Sequence, residues 1–318
     1  MRLPAVAVAA LALSAGGAAA TNPFEPIYPM VSPDGTHIGW VEGSTYRLWT
    51  AYGDGTNAQA VGPGFAGNGA SNAAWTQRGF VVDSNFTLFL VTPAGKGLRL
   101  GPDGDFTFSV GGDRVAGGSG GQPGQTGPVR IVDLRTRRTV TMGFPRVANL
   151  EPALSPDGTR IVWTASGSLW IARVGGRPHR LIGNAACAQW SPNGKWIAYL
   201  AAPDSLRVVS PSGGAPRTVL VHPGGCNVPG GPAWSPDSTR IAVGAAELTV
   251  VNVGTRRSVR VAKAIGRVAG GFAWTPDGSA LYASIRPWAR ERNRDDCTSL
   301  WRLDAATLRG AVVVRGCR

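Results

Sequence analysis

The sequence predicts an all-β chain folded as a β-propeller of four-stranded antiparallel blades, seven in number, or six if the most eroded unit is not a blade. Three observations predict this: one turn sentence written repeatedly, a period near 40 residues, and several short strands in each period.

The turn sentence is clearest at Ala233-Trp234-Ser235-Pro236-Asp237-Ser238, with further copies at Ser32-Pro33-Asp34-Gly35, Ser155-Pro156-Asp157-Gly158, Ser191-Pro192-Asn193-Gly194 and Thr275-Pro276-Asp277-Gly278. Each residue has a mechanical reason. Ser or Thr binds local backbone groups, Pro pre-sets φ, Asp or Asn suits the third position, and Gly tolerates the conformation that follows. The turn carboxylates Asp34, Asp157, Asp237 and Asp277, and the amide Asn193, are therefore read as structural. An apolar residue precedes each turn (Val31, Leu154, Trp190, Trp234, Trp274), and an alternating run such as Ile161-Val162-Trp163 follows it. The tryptophans are expected to wedge between neighbouring blades.

The last three spacings are 36, 44 and 40 residues, from starts at 155, 191, 235 and 275. A weaker copy, Ala74-Trp75-Thr76-Gln77-Arg78-Gly79, follows the first by 44 residues, and the 79 residues from 76 to 155 hold two periods. Between them lies Ser109-Val110-Gly111-Gly112-Asp113-Arg114-Val115, an eroded turn without Pro. Third strands such as Leu169-Trp170-Ile171-Ala172 and fourth strands such as Val259-Arg260-Val261 complete the units. The last unit supplies all four of its strands from the C-terminal side.

This repeat resembles that of the TolB-type propeller proteins of the bacterial envelope, over nearly the whole chain after residue 20. Similar blades also form the propellers of prolyl-oligopeptidase-like peptidases and of some polysaccharide-acting proteins. The first turn, at Ser32, leaves no room for the N-terminal domain that precedes the propeller in the best-known TolB-type member. The 43 residues after Thr275 are all needed for a last blade, so no hydrolase domain is expected. The resemblance implies a non-catalytic module that binds an envelope protein or peptide. The alternative is a carbohydrate-acting or other hydrolase or lyase propeller with a site at the channel mouth.

Residues 1–20 read as a secretory signal peptide: Arg2, an apolar stretch from Leu3 to Leu13, then Ala18-Ala19-Ala20. The apolar stretch is short for a membrane span. Residues 21–318 then form one exported domain, periplasmic or extracellular, with no membrane span after cleavage. The 45 Gly and 24 Pro in 318 residues suit a turn-rich all-β domain. All four cysteines lie in the exported part, which points to two disulfides. Of the three pairings, Cys187 with Cys226 is favoured because both enter inner strands of adjacent blades, and Cys297 with Cys317 because they flank the last two strands. No C-x-x-C spacing supports a metal.

The formal charge of +13 is carried mostly by Arg, in clusters at 135–138, 256–260 and 286–294. Arg suits an acidic polysaccharide or acidic partner, but nucleic acid is not expected because no reader motif is present. The segment from Ile285 to Asp296 is longer than a hairpin needs, and Arg286, Trp288, Arg290, Arg292 and Arg294 make it the candidate binding loop. Gly117-Gly118-Ser119-Gly120-Gly121 matches G-x-S-x-G, but no helix follows, so no nucleophile is assigned. His37, His179 and His222 are expected at different radii, exposed and apart. Asn85-Phe86-Thr87 is a glycosylation sequon on a chain whose signal and repeat look bacterial. No cofactor, metal site or catalytic group is expected.

Overall fold

The computed structural model describes residues 25–43, 45, 47–61, 70–84, 87–100, 105–119, 128–142, 152–202, 204–223, 231–244, 247–261, 266–286 and 297–316. Seven four-stranded antiparallel sheets are arranged in a ring, each built in chain order from strands joined by short turns. The expectation of seven blades is met, including the eroded third one, whose first two strands pair Val115 with Val110 across the Gly112-Asp113 turn. Among the described residues no helix is long and apolar enough to cross a membrane.

The first strand of each blade faces the ring axis: Pro26–Val31, Ala70–Thr76, Asp105–Gly111, Ala153–Leu154, Ala185–Trp190, Ala233–Trp234 and Arg267–Trp274. Successive first strands touch around the ring, and that of blade 1 packs against blade 7. The second strands are the most buried, because both of their faces meet a neighbouring blade. Ile38, Trp40, Ile161, Trp163, Ile197 and Tyr199 are each at most 1% exposed. Burying such a side chain contributes roughly 1.5–3 kcal/mol.

The core is thus a set of layers between blades. One joins Val41 and Leu48 of blade 1 to Phe80 and Val82 of blade 2, and another joins Trp274 and Leu281 of blade 7 to Ala242 and Val250 of blade 6. The ring closes the same way, with Ile38 and Trp40 of blade 1 against Tyr282 and Leu300 of blade 7. Tyr282 Oη donates to Gly53 O at 2.7 Å, and the Arg286 guanidinium pairs with Glu25 across the seam.

Candidate functional site

The repeated turn sets the local chemistry. In the first copy Gly35 N donates to Ser32 O at 2.8 Å, and Gly35 has φ 76°, a conformation that favours glycine. Ser32 Oγ donates to Asp34 Oδ1, as do Thr36 N (3.0 Å) and Thr36 Oγ1 (2.9 Å). These bonds, that from Ser32 foremost, hold the Asp34 carboxyl down to about 2. The same serine or threonine bond holds Asp157 and Asp277 at about 2. For Asp237 burial pushes upward, but the bonds from Ser235 and Thr239 outweigh it and the net shift is downward. The structural reading of the turn carboxylates fits this geometry, and Asn193 takes the place of a carboxylate by accepting from Ser191 Oγ (2.8 Å) and Lys195 N (3.0 Å).

Two further columns of the repeat link one blade to the next. The tryptophan before the turn sends its indole N–H to a carbonyl of the preceding blade's first strand: Trp190 to Ala153 at 3.0 Å, Trp234 to Gln189 at 3.2 Å, and Trp274 to Ala233 at 3.0 Å. The residue that opens the second strand reaches forward. Arg114 donates to Gly158 O (2.8 Å) and Arg240 to Gly278 O (2.7 Å), each at the turn of the following blade. The guanidinium of Arg160 lies 4.8 Å from the Trp190 ring centre, and that of Arg240 lies 4.9 Å from Trp274. Each such cation–aromatic contact adds about 0.5–2 kcal/mol.

Between blades 1 and 2 both links are missing. The residue opening the second strand of blade 1 is His37, which reaches no hydrogen-bond partner in blade 2. It faces Trp75 with ring centres 6.4 Å apart. The Trp75 indole N–H has no hydrogen-bond partner among the described residues, and its ring rests on Phe80, 4.4 Å between centres. Beside His37 a groove of about 430 Å³ opens on the face that carries the turns, lined by Asp34, His37, Gln59, Trp75, Gln77 and Arg78 among others.

The hydrogen bonds around His37 favour one tautomer. An ionised Asp34 only accepts and draws the Thr36 hydroxyl proton. The same Thr36 oxygen lies 2.7 Å from His37 Nδ1 and, while it donates to Asp34, accepts from an Nδ1–H. In that tautomer Nε2 carries a lone pair and has no partner among the described residues. That arrangement can take a proton from water or from a ligand hydroxyl. Arg78, across the groove, is held to Asp113 of blade 3 through Nε at 2.8 Å and Nη2 at 3.3 Å.

The expected binding loop is placed only at its root. Arg286 belongs to the ring seam, bonding Glu25 and, through Nε, Thr298 Oγ1 at 3.2 Å, while Trp288, Arg290, Arg292 and Arg294 lie outside the described residues. Cys187 and Cys297 are buried and neither is a free thiol, but Cys226 and Cys317 also lie outside, and with them the pairing. His179 and the Asp204-bound His222 are exposed, whereas His37 is half-buried in the groove. Among the described residues no group of three or more His, Cys, Asp or Glu is placed to hold a metal. A second cavity of about 300 Å³ lies among the first strands, between Tyr28, Phe108, Gln189 and Phe272, and no ionisable side chain except Tyr28 lines it.

No family model matches the chain, and no curated protein sequence does. Solved structures do resemble it. An oligogalacturonate lyase from Vibrio parahaemolyticus has a TM-score of 0.68 at 13% identity, covering 89% of this chain and 91% of its own. A puromycin-hydrolyzing peptidase from Mycobacterium tuberculosis has 0.66 at 18% identity, and the match spans 93% of this chain but only 54% of the peptidase. Hydrazine synthase of Kuenenia stuttgartiensis has 0.61 at 14% identity, covering 86% and 96%.

At such identities the likeness is one of fold. It confirms the seven-bladed propeller and does not single out the TolB type. It does correct the expectation that the chain is not an enzyme, because all three structures carry the names of enzymes. Spacing alone assembles no catalytic cluster, and it does not show that His37 faces Trp75 of the next unit. Aligning the repeats would have shown a histidine in the column where Arg114, Arg160 and Arg240 stand.

Proposed function

We propose that this propeller is an exported hydrolase or lyase acting on carbohydrate, with its substrate seated in the groove between blades 1 and 2. One observation carries the reading: a histidine whose Nδ1 is anchored through Thr36 to an ionised Asp34, with its Nε2 unpartnered beside an indole wall. Trp75 offers an aromatic surface and an unspent N–H, and the amides of Gln59 and Gln77 stand at the groove as donors and acceptors for hydroxyls. His37 acts as the general base, and the proton it takes is then given by the imidazolium to the departing oxygen. Enzymes with a propeller of this shape include one named for oligogalacturonate, which supports a carbohydrate substrate, and one named for puromycin hydrolysis, of which the match spans 54%.

The test is turnover. The purified protein is incubated with neutral and uronic glycans, scoring new reducing ends for hydrolysis and ultraviolet absorbance of an unsaturated product for elimination. Activity that falls by about a hundredfold in His37→Gln, with an unchanged melting curve, is the expected result. Absence of turnover on every glycan, or turnover indifferent to the substitution, overturns it.

A further inference from the structure

We infer that the groove selects a neutral sugar chain and rejects an anionic one, although the protein as a whole is strongly cationic. The inference rests on the groove being the substrate site and names its substrate class.

The formal charge of +13 invites a polyanion, but the charges at the groove do not follow that total. Arg78 is the sole cationic residue among those lining it, and two of its nitrogens are already committed to Asp113. Asp34, which also lines the groove, stays ionised under its hydrogen bonds from Ser32 and Thr36. Taken with Asp113, the local sum is one negative charge. A carboxylated or sulfated sugar would meet an Arg78 whose charge Asp113 already balances, and would lie within a screening length of Asp34. A neutral pyranose meets no such cost. It finds the Trp75 ring, the indole N–H, two amides and the Nε2 lone pair, all of them groups that bind hydroxyls or C–H faces without needing a charge. Because elimination beside a carboxylate needs a uronate, this narrows the proposed reaction to hydrolysis.

The same column argument supplies the probe. His37→Arg would place in blade 1 the residue that opens the second strand in blades 3, 4 and 6, and would fill the groove with the guanidinium that stacks on tryptophan in blades 4 and 6. It should block the site while raising the melting temperature, the reverse of what a merely disruptive change does.

The experiment is calorimetric titration of the whole protein with cellotetraose, N-acetylchitotetraose and tetragalacturonate at low and moderate salt. Saturable binding of a neutral tetrasaccharide is expected, unchanged by salt and weakened at least about tenfold in His37→Arg and in Trp75→Ala. Tetragalacturonate should give only heat that vanishes with salt and ignores both substitutions, the behaviour of a basic surface. Should His37→Arg not fold, His37→Leu and Trp75→Ala carry the comparison. Salt-resistant binding of tetragalacturonate lost on substituting His37, or no binding of either neutral probe, overturns the inference. Neutral binding without turnover would leave the inference standing and end the enzymatic reading. Turnover of a uronic glycan alone would do the opposite.

Discussion

The boundary between blades 6 and 7 and the boundary between blades 1 and 2 use the same columns of the repeat and come out as opposites. At the first, Trp274 is 8% exposed, its N–H is bound to Ala233 O, and Arg240 covers it while also donating to Gly278 O and Ala305 O. At the second, Trp75 is half-exposed with its N–H unspent, and His37 stands where the arginine would be. The apolar layer beneath is continuous at both, so the blades remain packed. What differs is the polar rim above it. A propeller can open one boundary without losing the ring because each boundary is held separately, and of the boundaries that lack both links the one between blades 1 and 2 carries the groove with a histidine facing an indole.

The largest expected effect breaks the sealed boundary. Trp274→Ala removes a buried indole, its hydrogen bond and its cation contact, and should cost about 3–5 kcal/mol. Trp75→Ala removes a half-exposed ring with no hydrogen bond and should cost about 1–2 kcal/mol. Urea unfolding midpoints compare the two, and equal losses would mean the boundaries are energetically alike. Next in size, Arg240→His converts the sealed boundary to the open pattern. It gives up the bond to Gly278 O, the longer one to Ala305 O and the stacking on Trp274, for about 2 kcal/mol. A midpoint shift near zero would show that the latches are ornamental and that the groove has another cause.

Much of this was legible in the residues. The five clear turns, the period and even the eroded third unit specify seven blades, because each turn residue answers a local backbone requirement that spacing reveals. The groove was not legible in that way. His37 and Trp75 are 38 positions apart in different units, and nothing local marks either as unusual. Their meaning appears only when one blade is laid against the next and His37 is seen to face Trp75. Asp34 is legible as a turn residue, but its second consequence, favouring one tautomer of His37 through Thr36, depends on how a single hydroxyl proton is shared. Net charge misled for a related reason: it sums the whole surface, whereas the groove answers to Arg78, Asp113 and Asp34.

The smallest effect sharpens the comparison, because both boundaries carry the same acid-sensitive turn. Asp277 and Asp34 are each held at about 2 by a neighbouring hydroxyl, Thr275 in one and Ser32 in the other, whereas an unfolded aspartate titrates near ~3.9. Their stabilisation is therefore fully present above about pH 4 and is lost as the pH falls through about 2. Asp277→Asn should lower neutral stability modestly, since an amide keeps the kind of bonds Asn193 accepts from Ser191 and Lys195 N but not the charge, and should flatten the fall in melting temperature between those limits. Asp34→Asn should do the same to the melting curve and also lower turnover in the groove. A neutral amide draws the Thr36 proton less strongly than a carboxylate, so Nδ1 of His37 has Thr36 as an acceptor, and Nε2 its lone pair, for less of the time. If both substitutions flatten the acid profile and only Asp34→Asn slows the reaction, one turn serves two purposes. If turnover is equally indifferent to both, the Asp34–Thr36–His37 chain is only a turn.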